Sequence, residues 1–254
     1  MRLADCAPLS SLSRGMAAEA LGTGFLLIAV VGSGILGERL AGGNVGLTLL
    51  VNALATAAAL FTLIEWLGPL SGAHFNPLVS LAIALRGDIA VRVAVAYVPA
   101  QIAGAVAGVA VANAMFDAPV FSLSTHARTG VSQWLGEFVS TFGLLGAVLT
   151  CSRLRPSSVA GVVAAYVGGA FWFTPTDFAN PAVTLARALT DTFAGIRPSD
   201  VPGFIVAEIA GAGAAIVLFR WLLPTAVAPA GRPDPGGVVV HDAPATAQSS
   251  YHAP

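Results

Sequence analysis

The chain has 254 residues, 56% of them hydrophobic and 10% charged, with a formal net charge of −1. A soluble domain averages about a quarter charged residues, so this composition, with a mean hydropathy of +0.80, excludes an ordinary soluble domain. Near-neutrality argues against nucleic acid as a partner, and two cysteines, Cys6 and Cys151, are too few for a disulfide framework or a Cys-based metal site. In chain order, residues 1–15 read as a short cytoplasmic tail without the apolar core of a cleavable signal peptide. Apolar runs of membrane length follow at 16–37, with Glu19 one turn inside, and at 45–67. A short helix opens at Asn76, and further spans cover 89–113, 132–151 and 158–173. A second short helix runs from Asn180 to Thr190, and the last span covers 202–223. Residues 224–254, rich in Pro, Ala and Gly, bury too little apolar side chain to offset ordering and read as a disordered cytoplasmic tail.

The two short helices carry the strongest local signal. They begin Asn76-Pro77-Leu78 and Asn180-Pro181-Ala182. Asn is a favoured N-cap because its side-chain oxygen takes an orphan N–H of the first turn, and Pro suits the next position, where no N–H is needed. Each short helix is about 15 Å long, roughly half a bilayer core. Landmarks recur in one order. AEALGTGFLL around Glu19 matches GEFVSTFGLL around Glu137, the Asn-Pro pairs match, and VPAQIAGAVAG around Gln101 matches IVAEIAGAGAA around Glu208. The expected architecture is an all-α membrane protein of six transmembrane helices and two re-entrant half-helices. Its repeats cover 16–113 and 132–223 within a channel region of 16–223. Three spans per half force the halves into opposite orientations, an inverted repeat with its solute path at their interface. With the N-terminus inside, Arg2, Arg14, Arg86, Arg92, Arg153, Arg155, Arg220 and Arg232 are cytoplasmic, against Arg39, Arg128, Arg187 and Arg197 outside. That asymmetry favours both termini inside.

Non-helical backbone at membrane depth survives only where it is buried in protein or lines a wet cavity. Asn76 and Asn180 should therefore meet near the midplane, each oxygen tied to its own helix and each NH₂ aimed into the lumen. Two positive helix ends converging there disfavour cations. The spans hold no His/Asp/Glu cluster at metal spacing and no nucleophile–base pair, so neither an enzyme nor a cofactor is expected.

AEALGT, SGAHFNPLVSLA, AQIAGA, GEFVSTF and FANPAVTLA together resemble the major intrinsic proteins, the aquaporins and aquaglyceroporins. The resemblance implies a passive channel, a homotetramer with one pore per subunit, and a multi-pass protein of the bacterial inner membrane. It makes Glu19 and Glu137 buried acceptors for the N–H groups of the two dipping loops, beside Gln101. It puts His74 in the cytoplasmic vestibule through its backbone carbonyl.

Three departures from the family pattern bear on selectivity. Leu78 replaces the usual Ala and adds bulk beside the midplane, Val183 stands where the family usually has Arg, and the loop FTPTDFAN is about one residue longer than usual. Counting along the spans makes the outer filter Thr56, Gly168, Asp177 and Val183. The alternatives are Asn52 in the second span and Val167 in the fifth, the latter if the extra loop residue is real. Such a filter is wide, weakly polar and a poor barrier to cations. Arg187, one turn outward of Val183, is expected at the outer mouth, paired with Asp191 or Asp177, or itself in the filter with Val183 as lining. The string NPAVTLARALTDTFAGIRP resembles a bacterial branch associated with arsenic resistance. The expected permeants are glycerol-like polyols, neutral metalloid hydroxides such as arsenous acid, methylated arsenicals and some water. A water-selective aquaporin is the alternative, followed by a formate-type channel or secondary transporter.

Overall fold

A computed structural model describes residues 9–223, so the tail segments 1–8 and 224–254, with Cys6, lie outside the described residues. The helices are α1 (Leu9–Leu40), α2 (Val45–Ser71), α3 (Pro77–Arg86), α4 (Val91–Met115), α5 (Val131–Leu154), α6 (Val159–Phe173), α7 (Pro181–Arg187) and α8 (Val201–Leu222). No strand occurs among the described residues. All but α3 and α7 are long and apolar enough to cross a membrane, α6 and α8 each counted with a single 3-10 turn ahead of it. The protein is thus an all-α, multi-pass membrane protein. α1 begins at Leu9, well before the expected start at 16. Hydropathy marks the lipid-facing length of a helix, whereas the Ser- and Arg-containing turns before it contain no breaker and simply extend it.

The helices pack in two matching groups, α1 against α2 and α4, and α5 against α6 and α8, with α2 also against α6. Small residues make the closest crossings possible, as expected where lipid offers no hydrophobic drive between helices. A Cβ on Gly104 or Gly108 of α4 would land on the carbonyl oxygens of Ala20 or Gly24 of α1, and one on Gly211 of α8 on that of Phe138 of α5. Leu27, Val31, Val109, Leu145 and Phe204 are fully buried inside this packing. Leu54, Phe61, Val95, Val206, Val217 and Trp221 are exposed, an apolar exterior suited to acyl chains.

The half-helices end for different reasons. α3 closes on Gly87 at φ 88°, where the N–H groups of Gly87 and Asp88 take up the last carbonyls. α7 stops at Arg187, three residues short of the expected Thr190. The carbonyls of Ala188 and Leu189 accept instead from Ser124 and Ser122 of the α4–α5 loop, at 3.1 and 3.0 Å. Thr190 is drawn aside by a 2.9 Å bond to Asn113 Oδ1 of α4. Orphan C-terminal carbonyls find partners outside the helix, so continuing it gains nothing.

Candidate functional site

Asn76 and Asn180 cap their half-helices as N-caps, Asn76 Oδ1 accepting from Leu78 at 2.9 Å and Asn180 Oδ1 from Ala182 at 3.0 Å. Their amides cross between the halves. Asn76 Nδ2 donates to the Ala179 carbonyl at 2.7 Å and Asn180 Nδ2 to the Phe75 carbonyl at 2.8 Å. One hydrogen of each NH₂ is therefore committed to protein, which corrects the expectation that both NH₂ groups serve the lumen alone. Each NH₂ carries a second hydrogen, and both Asn residues line the cavity described below. The accepting residues, Phe75 and Ala179, sit at φ 49° immediately before each Asn. That left-handed conformation costs a non-glycine residue about 1–2 kcal/mol. It turns the peptide so that its carbonyl meets the opposite Asn while its N–H meets a carboxylate.

Those carboxylates are Glu19 and Glu137, both fully buried. Glu19 accepts from Ser71 Oγ (2.6 Å), His74 N (2.9 Å), Phe75 N (2.6 Å) and Gln101 Nε2 (2.8 Å). Glu137 accepts from Phe178 N at 3.1 Å and Ala179 N at 2.8 Å. Gln101 also donates to Ser80 Oγ at 2.9 Å, which contacts His74 Nδ1 at 3.0 Å. In the other half Thr184 donates to Glu208 Oε1 at 2.5 Å, so a carboxylate stands where Gln101 stands in the first. The internal match identified position 208, but the bond from Thr184 needed the fold.

A cavity of about 300 Å³ runs past both Asn residues, from Arg86 and Asp88 at one end to Arg187 at the other. Its walls are stripes at fourfold spacing: Thr56, Leu60 and Ile64 on α2, Leu144, Val148 and Ser152 on α5, and Val159, Val163, Val167 and Phe171 on α6. Such spacing keeps side chains on one helix face. Two expected positions fall elsewhere. Gly168 is replaced on the lining by Val167, because Gly168 faces α2, where a Cβ would lie 3.0 Å from Ala57. The lining position in α6 is thus the alternative, Val167. Leu78 packs into the buried cluster with Val79, Leu144 and Ala179 and is not among the lining residues, so its bulk leaves the midplane clear. Val79, one residue on, takes the wall instead. Thr56, Asp177 and Val183 line the cavity, as does His74. Asn52 does not, since its amide ties α2 to α1 through Val30 O (2.6 Å) and Ser33 Oγ (2.9 Å). Pro77, Pro181 and Ala182 are helix-start residues beside the path.

Arg187 is not a surface ion pair. It is 6% exposed, its Nε donates to the Ala194 carbonyl, and its guanidinium carbon lies 3.4 Å from the centroid of the Phe178 ring. Among the described residues it forms no salt bridge with Asp191 or Asp177. Asp191 instead accepts from the N–H and hydroxyl of Thr125 at 2.8 and 3.0 Å, which hold it below the usual carboxylate range. Arg128 joins the same aromatic, 5.3 Å from its centroid, and donates to the carbonyls of Gly195 and Phe193. Neither Phe178 nor Arg128 stood out in the sequence. Phe178 lies in a loop without periodicity, and Arg128 is distant in the chain.

Six membrane-length helices around two half-helices, with one cavity passing both caps, define a membrane channel. The family model for the major intrinsic proteins matches residues 8–174. Aquaglyceroporin AqpS of Rhizobium meliloti (strain 1021) is 53% identical over 213 residues, covering 84% of this chain and 91% of that protein. Aquaporin-5 of Sus scrofa is 32% identical over 195 residues, covering 69% of this chain and 70% of that one. Among solved structures, the aquaglyceroporin from Plasmodium falciparum superposes with a TM-score of 0.64 at 21% identity, over 83% of this chain and 95% of that one, a likeness of fold. The chain belongs to the major intrinsic protein family.

Proposed function

We propose that this protein is a passive channel for small uncharged hydroxylated solutes: glycerol-like polyols, neutral metalloid hydroxides such as arsenous acid, methylated arsenicals and some water. The observation that carries this reading is the lining itself. Aliphatic stripes make the path hospitable to carbon backbones and costly for ions. The free amide hydrogens of Asn76 and Asn180 give a solute oxygen a donor at the midplane. The N-termini of α3 and α7 aim positive dipole ends at the same point and repel cations. Thr56, Val167, Asp177 and Val183 form the outer filter. The relative at 53% identity, named an aquaglyceroporin, supports solutes larger than water. Glu19, Glu137, Gln101 and His74 hold the loops and do not relay protons, since the carboxylates are occupied by loop and amide donors.

The protein works in the bacterial inner membrane as a homotetramer with one pore per subunit and both termini cytoplasmic. Osmotic light scattering of proteoliposomes with water, glycerol, urea and arsenous acid tests the substrate class. Water flux without glycerol flux would favour the water-selective alternative. Saturation together with dependence on a proton gradient would favour a transporter. Labelling of cysteines introduced at 224–254 from outside intact cells would overturn the orientation.

A further inference from the structure

The half-helices present matching faces to the cavity. Val79 and Ile83 lie three and seven residues after Asn76, and Val183 and Arg187 lie three and seven after Asn180; all four line the path. Arg187 is therefore the polar counterpart of an aliphatic side chain on the same face of the other half. Helical side chains lean toward their own N-terminus, so the guanidinium of Arg187 lies inward of its Cα. Its contact confirms that direction: the group rests on Phe178, which precedes Asn180 by two residues. The Ala194 carbonyl anchors Nε. The charges that act on the group are the carboxylates of Glu137, Asp177 and Glu208, opposed by Arg128. Val183, whose side chain ends at Cγ, is the smaller of the two residues on this face.

We propose that Arg187 supplies the guanidinium of the outer constriction, reaching back one helical turn over Val183, with Phe178 as its shelf and Arg128 fixing that ring. The assignment rests on the channel reading above and refines it. The outer path keeps a fixed positive charge that turns back cations, but the group rests on an aromatic ring and leaves more width than a side chain projecting from position 183. The pore is thereby wide and still charge-selective. That combination differs from the wide, cation-leaky filter that Val183 alone implies.

The test uses the full chain in proteoliposomes, comparing wild type, Arg187→Gln, Phe178→Leu and the double variant Arg187→Val/Val183→Arg. Glycerol and sorbitol fluxes are read by light scattering, and sodium and proton leaks with ion-sensitive dyes. Arg187→Gln should raise the cation leak at least about tenfold, because a fixed charge within a few Å of the path is removed. It should also raise sorbitol flux relative to glycerol. Moving the guanidinium to position 183 should restore the cation barrier while lowering sorbitol flux below wild type, a rescue that a purely structural role would not produce. If Arg187→Gln does not fold, Phe178→Leu carries the test; it keeps both arginines, removes the shelf, and should raise leak and sorbitol flux together. Unchanged leak and unchanged sorbitol-to-glycerol ratio in either folded single variant would overturn the assignment alone. Wild-type vesicles that pass no glycerol would overturn the channel reading and the assignment with it.

Discussion

Replacing Glu19 with Ala removes the acceptor on which the whole first loop hangs. Its oxygens take the N–H groups of His74 and Phe75, the Ser71 hydroxyl and the Gln101 amide. The hydroxyl and amide have rotatable bonds and alternative partners, and Gln101 already shares Ser80. The two backbone donors are held in place. At about 1–3 kcal/mol for each buried donor left unsatisfied, the variant should lose about 2–6 kcal/mol. Left-handed Phe75, at φ 49°, loses the N–H bond that holds it there and relaxes as well. At about 2–4 °C per kcal/mol for a chain of this size, the melting midpoint in detergent should fall by roughly 5–20 °C. Glu19→Gln, which keeps one oxygen for a backbone donor, should fall by less. Folded yield from size exclusion and the melting midpoint measure this directly. A Glu19→Ala protein with wild-type yield and midpoint, whose transport fails only under an imposed proton gradient, would refute the structural role and make Glu19 a proton relay.

Gly104→Val should push α1 and α4 apart, because its Cβ meets the Ala20 carbonyl. Overpacking of this kind costs about 1–3 kcal/mol or more, while Gly213→Ala, inside α8 with open space around it, should leave the melting midpoint equal or slightly raised. Asp191, held below the ordinary carboxylate range by Thr125, should add stability at pH values above its unfolded pKa and lose it as pH falls through the depressed folded value. The gap in melting midpoint between wild type and Asp191→Asn, measured as a function of pH, should therefore be present near neutrality and close in acid.

What was legible in the sequence follows from what repeats. The spans were readable because membrane-length apolar runs have no soluble counterpart. The loop carboxylates were readable because Glu19 and Glu137 occupy matching places in two halves. The register of α6 was not, since Gly168 and the alternative Val167 could not be told apart in a uniformly apolar helix that carries no polar stripe. The direction of the Asn76 and Asn180 amides was half legible. The cap oxygen follows from local helix chemistry, but a hydrogen bond across 103 residues to Ala179 depends on both halves being folded. The pairing of Arg187 was misread because its i+4 neighbour Asp191 offered an obvious partner, whereas its shelf, Phe178, lies before the helix begins.

The crossed amides also set an order of events during synthesis. Asn76 leaves the ribosome 103 residues ahead of its acceptor, Ala179. At about 5–20 residues per second, the first loop waits roughly 5–20 s for the backbone it must meet. Through that interval its own half can offer Glu19, already inserted, and then Gln101 from α4. The Phe75 carbonyl meanwhile faces the gap that Asn180 will fill. An exposed polar carbonyl at that depth is tolerable only while water reaches it. The centre of the pore is therefore hydrated before it is finished, and it closes around a path that water already occupies.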